Sequence, residues 1–137
     1  MSQSITRRGS WVIDLLTLPA MDVAQSLTAY ESALFRAVPI QEFYKTSRPM
    51  VDQLVGHFNR FSLHITAQIV HAPEKCQRDL VKGWIHIAEA CEELGNLNAV
   101  MEIIAGLNHI SVSRLKYIWK VKIHIFFTLK LIVFFRH

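Results

Sequence analysis

His57, His64 and His71 recur at intervals of seven residues, and metal ligation is the chemistry that a histidine cluster most readily offers. The spacing argues against it. Seven helical residues are two turns, about 10.5 Å of rise, whereas ligands sharing one zinc from a single helix stand about three to five residues apart. The three side chains are expected at solvent-facing or helix-end positions, with no metal between them. Glu89, Glu92 and Glu93 read as a solvated face. Cys76 and Cys91 lie in one expected helix, roughly 22 Å apart at about 1.5 Å per residue, so they cannot pair with each other there. That suits a reduced, intracellular protein. No glycine-rich phosphate loop, nucleophile elbow or paired Glu-His metal motif is present in the sequence. No catalytic residue and no cofactor are therefore expected, and the chemistry left to the chain is binding.

The elements that would position a binding surface are helices. Val23, Leu27, Tyr30, Leu34 and Val38 are spaced by threes and fours, which predicts a helix over residues 22–38. Asp22 with Gln25 supplies a capping-box-like start, and Pro39 ends the run. A second helix is predicted from Pro49 to His71, with Met50, Leu54, Phe58, Phe61, Ile65 and Ile69 on one face. Pro73 separates it from a third, whose stripe is Cys76, Leu80, Trp84, Ile87, Cys91 and Leu94. Gly95 is placed to close that helix in the left-handed region. A fourth helix begins at Leu97 or Asn98 and buries Val100, Ile103, Ile104 and Leu107; a fifth begins near Ser111 and uses Leu115, Ile118 and Trp119. No sustained period-two alternation precedes residue 120, so the fold is expected to be all-α, an irregular antiparallel bundle of about five helices.

The chain has 137 residues, 51% of them hydrophobic, enough for one domain with a core and too few for two of ordinary size. Its net charge of +4 comes from scattered Lys and Arg, with none of the basic, aromatic-interleaved runs that nucleic acid requires. No nucleic-acid partner is expected. The two arginines near the N-terminus precede an apolar run that stops at Pro19, short of an export signal.

Three blocks of this sequence resemble the catalytic domain of Ras-family guanine-nucleotide exchange factors. "AQSLTAYESALFRAVPIQEF" is similar to the family's opening helix, with Leu27, Thr28, Glu31, Leu34, Phe35, Arg36 and Pro39 at the matching places. "LVGHFNRFSLHITAQIV" resembles the second block, and "ELGNLNAVMEIIAGLNHISVSRLKYIW" the third and most specific one. The resemblance implies an all-α domain that binds a Ras-family small GTPase, remodels its switch regions and holds the nucleotide-free state, with no cofactor. It implies a regulator acting by binding rather than covalent chemistry, in the cytoplasm and at the inner face of the plasma membrane. Carried over by position, Arg36 and Asn96 would face the GTPase. Each has a plainer alternative: Arg36 could complement the end of its helix, and Asn96 could cap. Of the two asparagines, Asn98 is expected to be the cap and Asn96 the partner contact. Leu27 and Glu31 are expected to be structural, with Glu31 pairing with Arg114.

The resemblance, with the change of composition after Trp119, implies a division into an N-terminal segment over residues 1–18, a partial exchange-factor-like domain over 19–119, and a hydrophobic, basic tail over 120–137. The tail "KVKIHIFFTLKLIVFFRH" departs from the family's pattern, and the hairpin-bearing second half of the family domain has no counterpart in this sequence. The expectation is a truncated exchange factor with impaired activity. The alternative is a non-catalytic helical interaction fragment or a weakly membrane-associated protein. For a membrane role, the apolar run over 123–135 is short of the ~20 residues a spanning helix needs. Its insertion energy of about −3 to −6 kcal/mol is nearly cancelled by Lys130 at about +2.5 to +3.5 kcal/mol and by His124. A packed or sticky tail ranks first, interfacial association second and a spanning anchor third.

Overall fold

Proline and glycine punctuate the helices. In the computed structural model, which describes residues 17–119, α1 (Ala20–Arg36) starts directly after Pro19. The Pro19 carbonyl accepts the amides of Asp22 and Val23. The expected capping box is not formed: no side chain caps α1, and Asp22 lies within its first turn. There its carboxylate interacts with the positive end of the helix dipole. The helix stops two residues short of Val38, because Pro39 disfavours helical geometry at the residue before it. A 3-10 turn (Ile40–Phe43) follows and buries Glu42. The Glu42 carboxylate accepts the backbone amides of Met50 at 3.0 Å and Val51 at 2.9 Å. It thereby satisfies amides left without partners in the first turn of α2 (Pro49–His71), where Arg48 offers no side-chain cap.

The predicted bounds of α2 are those observed. Of its expected stripe, Ile65 and Ile69 are buried, whereas Met50, Leu54, Phe58 and Phe61 are half-buried. Ser62 and Thr66 are buried with them. The Thr66 hydroxyl donates to the Gly106 carbonyl at 2.8 Å, and the Ser62 hydroxyl lies 3.1 Å from the Glu102 carbonyl. These bonds join α2 to α4 (Leu97–Asn108) at close range. Gly106 permits the approach, since a Cβ there would stand 2.7 Å from the Ser62 carbonyl oxygen.

Helix α3 (Glu74–Glu93) contributes the largest set of core side chains, among them Leu80, Val81, Trp84, Ile85, Ile87, Ala88 and Cys91. It packs between α1 and α4, and α4 packs in turn on α2. Gly95, at φ 76°, ends it as expected. The Asn96 amide donates to the Cys91 carbonyl and the Gly95 amide to that of Glu92, a Schellman closure. The predicted fifth helix is instead two single turns, α5 (Ile110–Ser113) and α6 (Lys116–Trp119). Val112 and Ile118 are both buried. Six residues at about 100° each would set them on different faces of one straight helix, and the break at Arg114 and Leu115 lets both face the core.

The described residues form an all-α domain with no strand among them. Among them, no helix is long and apolar enough to cross a membrane. The tail over 120–137 and all but the end of the segment 1–18 lie outside the described residues.

Candidate functional site

The C-terminal half of α1, the junction between α3 and α4, and Leu54 of α2 enclose a groove of about 550 Å³. Arg36 and Asn96, sixty residues apart in the chain, both line it. Phe35, 61% exposed, and Leu94 add apolar surface beside them. Arg36 is exposed, and its Nε donates to the Ser32 carbonyl one turn back at 3.3 Å. Among the described residues no partner engages its terminal nitrogens, which leaves the guanidinium fork open to the groove.

Asn96 is the true N-cap of α4. Its Oδ1 accepts the Ala99 amide at 3.1 Å. The sequence places the cap at Asn98, but the Schellman closure at Gly95 holds Asn96 in a non-helical conformation immediately before the first turn, which is where a cap must sit. Asn98, inside the first turn of the helix, is exposed, and its Nδ2 donates to Glu102 Oε1 at 3.0 Å. The Nδ2 of Asn96 donates to Thr28 Oγ1 and to Glu31 Oε2, each at 3.0 Å. The cap of α4 is thus tied to α1.

Glu31, 5% exposed, does not pair with Arg114. Arg114 stands exposed at the end of α5, while Glu31 points into the helix junction. There the His57 Nε2 lies 3.3 Å from Glu31 Oε1 and 3.7 Å from Glu102 Oε1. His57 is therefore not solvent-facing. Its ring is stacked on Phe61 at 5.8 Å and tilted against Tyr30 at 5.1 Å, and Phe61 meets Trp84 edge-on. His64 and His71 are exposed as expected, as are Glu89 and Glu93, whereas Glu92 is half-buried. Leu27 packs against the core.

Glu102 is fully buried, and its Oε2 faces no donor. Burial pushes its pKa up to about 9, reinforced by a hydrogen bond and charge repulsion from Glu31 and opposed by the Asn98 bond. With that shift it holds its proton at pH 7. Burial, then the charges of Glu31 and Glu102, push the Cys91 thiol up to about 12. Glu31, His57 and Glu102 also bring ligand atoms within 4.8 Å of one another, so they are the described residues that could hold a cation. Such an ion would have to displace the Glu102 proton. The arrangement is built to hold an amide in place beside an open guanidinium.

The RasGEF domain family model matches residues 22–129, most of the chain. The chain belongs to the RasGEF domain family. The match runs past Trp119 into the stretch whose composition departs from the rest. The chain is 32% identical over 113 residues to the Ras-specific guanine nucleotide-releasing factor 2 of Danio rerio, covering 75% of this chain and 9% of that protein. It is 31% identical over 111 residues to the Ras-specific guanine nucleotide-releasing factor 1 of Mus musculus, covering 74% and 9%. It is 29% identical over 130 residues to the Ras guanine nucleotide exchange factor M of Dictyostelium discoideum, covering 87% and 14%. The chain thus spans a small fraction of the length of these relatives. Within the RasGEF domain, the sequence singles out Arg36 and Asn96, which the fold brings to one groove, but it reads His57 as solvent-facing and gives no place to Glu102. A signal existed for Glu102, which falls between Ala99 and Gly106 on the buried face of α4.

Proposed function

We propose that this RasGEF domain binds a Ras-family small GTPase in the groove between α1 and the α3–α4 junction and promotes release of its guanine nucleotide. The observation that carries this reading is the convergence of Arg36 and Asn96, from two separate sequence blocks, on one open groove with apolar flanks. The mechanism is population shift by differential binding. A surface that holds the nucleotide-free conformation more tightly than the loaded one accelerates exchange without covalent chemistry, and only to the extent of that difference. The domain acts in this reading as a regulator, in the cytoplasm and at the inner face of the plasma membrane.

The test is release of a fluorescent GDP from a panel of Ras-family GTPases, paired with capture of the nucleotide-free GTPase by the chain. Acceleration that falls about tenfold or more in Arg36→Ala and in Asn96→Ala is the expected result, each loss being that of a hot-spot contact. Capture without acceleration would replace exchange by simple binding at the same groove. The absence of both capture and acceleration at high micromolar protein would overturn the proposal.

A further inference from the structure

The hydrogen-bonding capacity of the Asn96 amide can be counted. Its Nδ2 carries two hydrogens, and both are spent, on Thr28 Oγ1 and Glu31 Oε2. Its Oδ1 has two lone pairs, of which the Ala99 amide takes one. What remains is a single acceptor lone pair. Resting on the reading of the groove as a GTPase-binding surface, we propose that Glu31 is a positioning residue that locks this amide. Asn96 then offers the partner one acceptor and no donor, and selects a hydrogen-bond donor on the GTPase.

The orientation is over-determined. Flipping the amide would set Oδ1 against the Glu31 carboxylate and Nδ2 against the Ala99 N–H, replacing two attractive contacts with two repulsive ones. Glu31 cannot turn aside, because it is buried in the junction with His57 Nε2 on its other oxygen. His57 is itself held between Tyr30 and Phe61, with Glu102 behind it. The support thus reaches Asn96 from α1, α2 and α4: Thr28 and Glu31 line the groove beside it, and behind Glu31 stand His57 and the buried Glu102, which do not line it.

Two readouts separate this proposal from the one it rests on. In the free, full chain, both Nδ2 protons of Asn96 are expected to be protected from solvent exchange by NMR, and Glu31→Leu is expected to release one of them. Asn96→Asp keeps the cap and the acceptor but turns the donor into an oxygen facing Glu31. Capture of nucleotide-free GTPase is expected to weaken by about tenfold, equivalent to ~1.4 kcal/mol. Adding Glu31→Gln supplies an amide donor to the introduced carboxylate from the other side, and the double variant is expected to recover capture to near the parent level. A double variant no better than Asn96→Asp, or parent Nδ2 protons exchanging at the solvent rate, overturns the proposal. Protected protons in a chain that captures no GTPase overturn the binding-surface reading and the donor selection with it, while the lock itself stands.

Discussion

Replacing Glu102 by glutamine removes a proton-binding group from the driest part of the domain while keeping its shape. The folded-state pKa of about 9 lies above the unfolded value of 4.5, so between those limits the native state binds a proton that the unfolded chain does not. Stability therefore falls as pH rises from about 4.5 to about 9, at about 1.4 kcal/mol per pH unit, and is flat outside that window. At pH 7 the accumulated cost spans roughly 2.5 pH units, or about 3 kcal/mol, a large share of the ~5–15 kcal/mol that holds a domain together. Glutamine carries no such cost. Its oxygen can keep the Asn98 bond and its amide can donate toward Glu31, as the protonated acid does. Glu102→Gln should thus match the parent near pH 5 and exceed it by about 3 kcal/mol at pH 7, the gap widening further at pH 8.5. Urea unfolding followed by tryptophan fluorescence, to which the buried Trp84 contributes with its indole donating to Gln68 Oε1, measures both chains across that range. The difference between them cancels the titration of groups the two chains share. A difference that stays flat with pH, or that narrows as pH rises, would refute the reasoning.

Other perturbations probe the packing around the site. Gly106→Ala places a Cβ 2.7 Å from the Ser62 carbonyl oxygen and 3.0 Å from Ile65 Cβ, and should cost about 1–3 kcal/mol as α2 and α4 are forced apart. Gly95→Ala meets no atom and strains only the left-handed backbone, for about 1–2 kcal/mol; urea midpoints of the two variants compare the mechanisms. The Cys91 thiol, fully buried and pushed up to about 12, should resist a disulfide reagent at pH 8 in the native chain, while half-buried Cys76 reacts; both should react in denaturant. Arg114→Ala should change stability by less than about 0.5 kcal/mol, and a loss well above that would revive a pairing with Glu31.

Apolar spacing made the long helices legible because each buries one face against a neighbour, and proline and glycine marked their limits. The bounds of α2, the left-handed closure at Gly95 and the buried set Val100, Ile103, Ile104 and Leu107 all follow from those two signals. Polar burial did not follow. Ser62 and Thr66 are inside because α4 presents the carbonyls of Glu102 and Gly106 to them, a fact about a helix forty residues away. Glu31 and Glu102 are inside because each satisfies the other's surroundings through His57, Asn96 and Asn98, and periodicity carries no information about partners. The seven-residue histidine repeat drew attention to a spacing unsuited to metal and away from the place of His57 one turn before Phe61. One face of α2 holds both rings, and it is Tyr30 and Glu31 of α1 with Glu102 of α4 that cover the histidine.

The two asparagines show where local reading stops and packing begins. Deciding which of Asn96 and Asn98 caps α4 requires the helix start to within one residue, finer than sequence resolves. The Schellman closure decides it, since the backbone that ends α3 at Gly95 leaves Asn96 in the position from which α4 must start. Cap and contact look like alternatives from the sequence, yet a cap uses only one of the four hydrogen-bonding sites of an asparagine amide. Two others reach Thr28 and Glu31 on α1, and one acceptor lone pair is left on a residue that lines the groove. Capping therefore positions the contact rather than competing with it. The amide whose oxygen starts α4 is tied through its nitrogen to the helix that carries Arg36, so Asn96 is held relative to Arg36 by bonds to Thr28 and Glu31 as well as by the loop between α3 and α4.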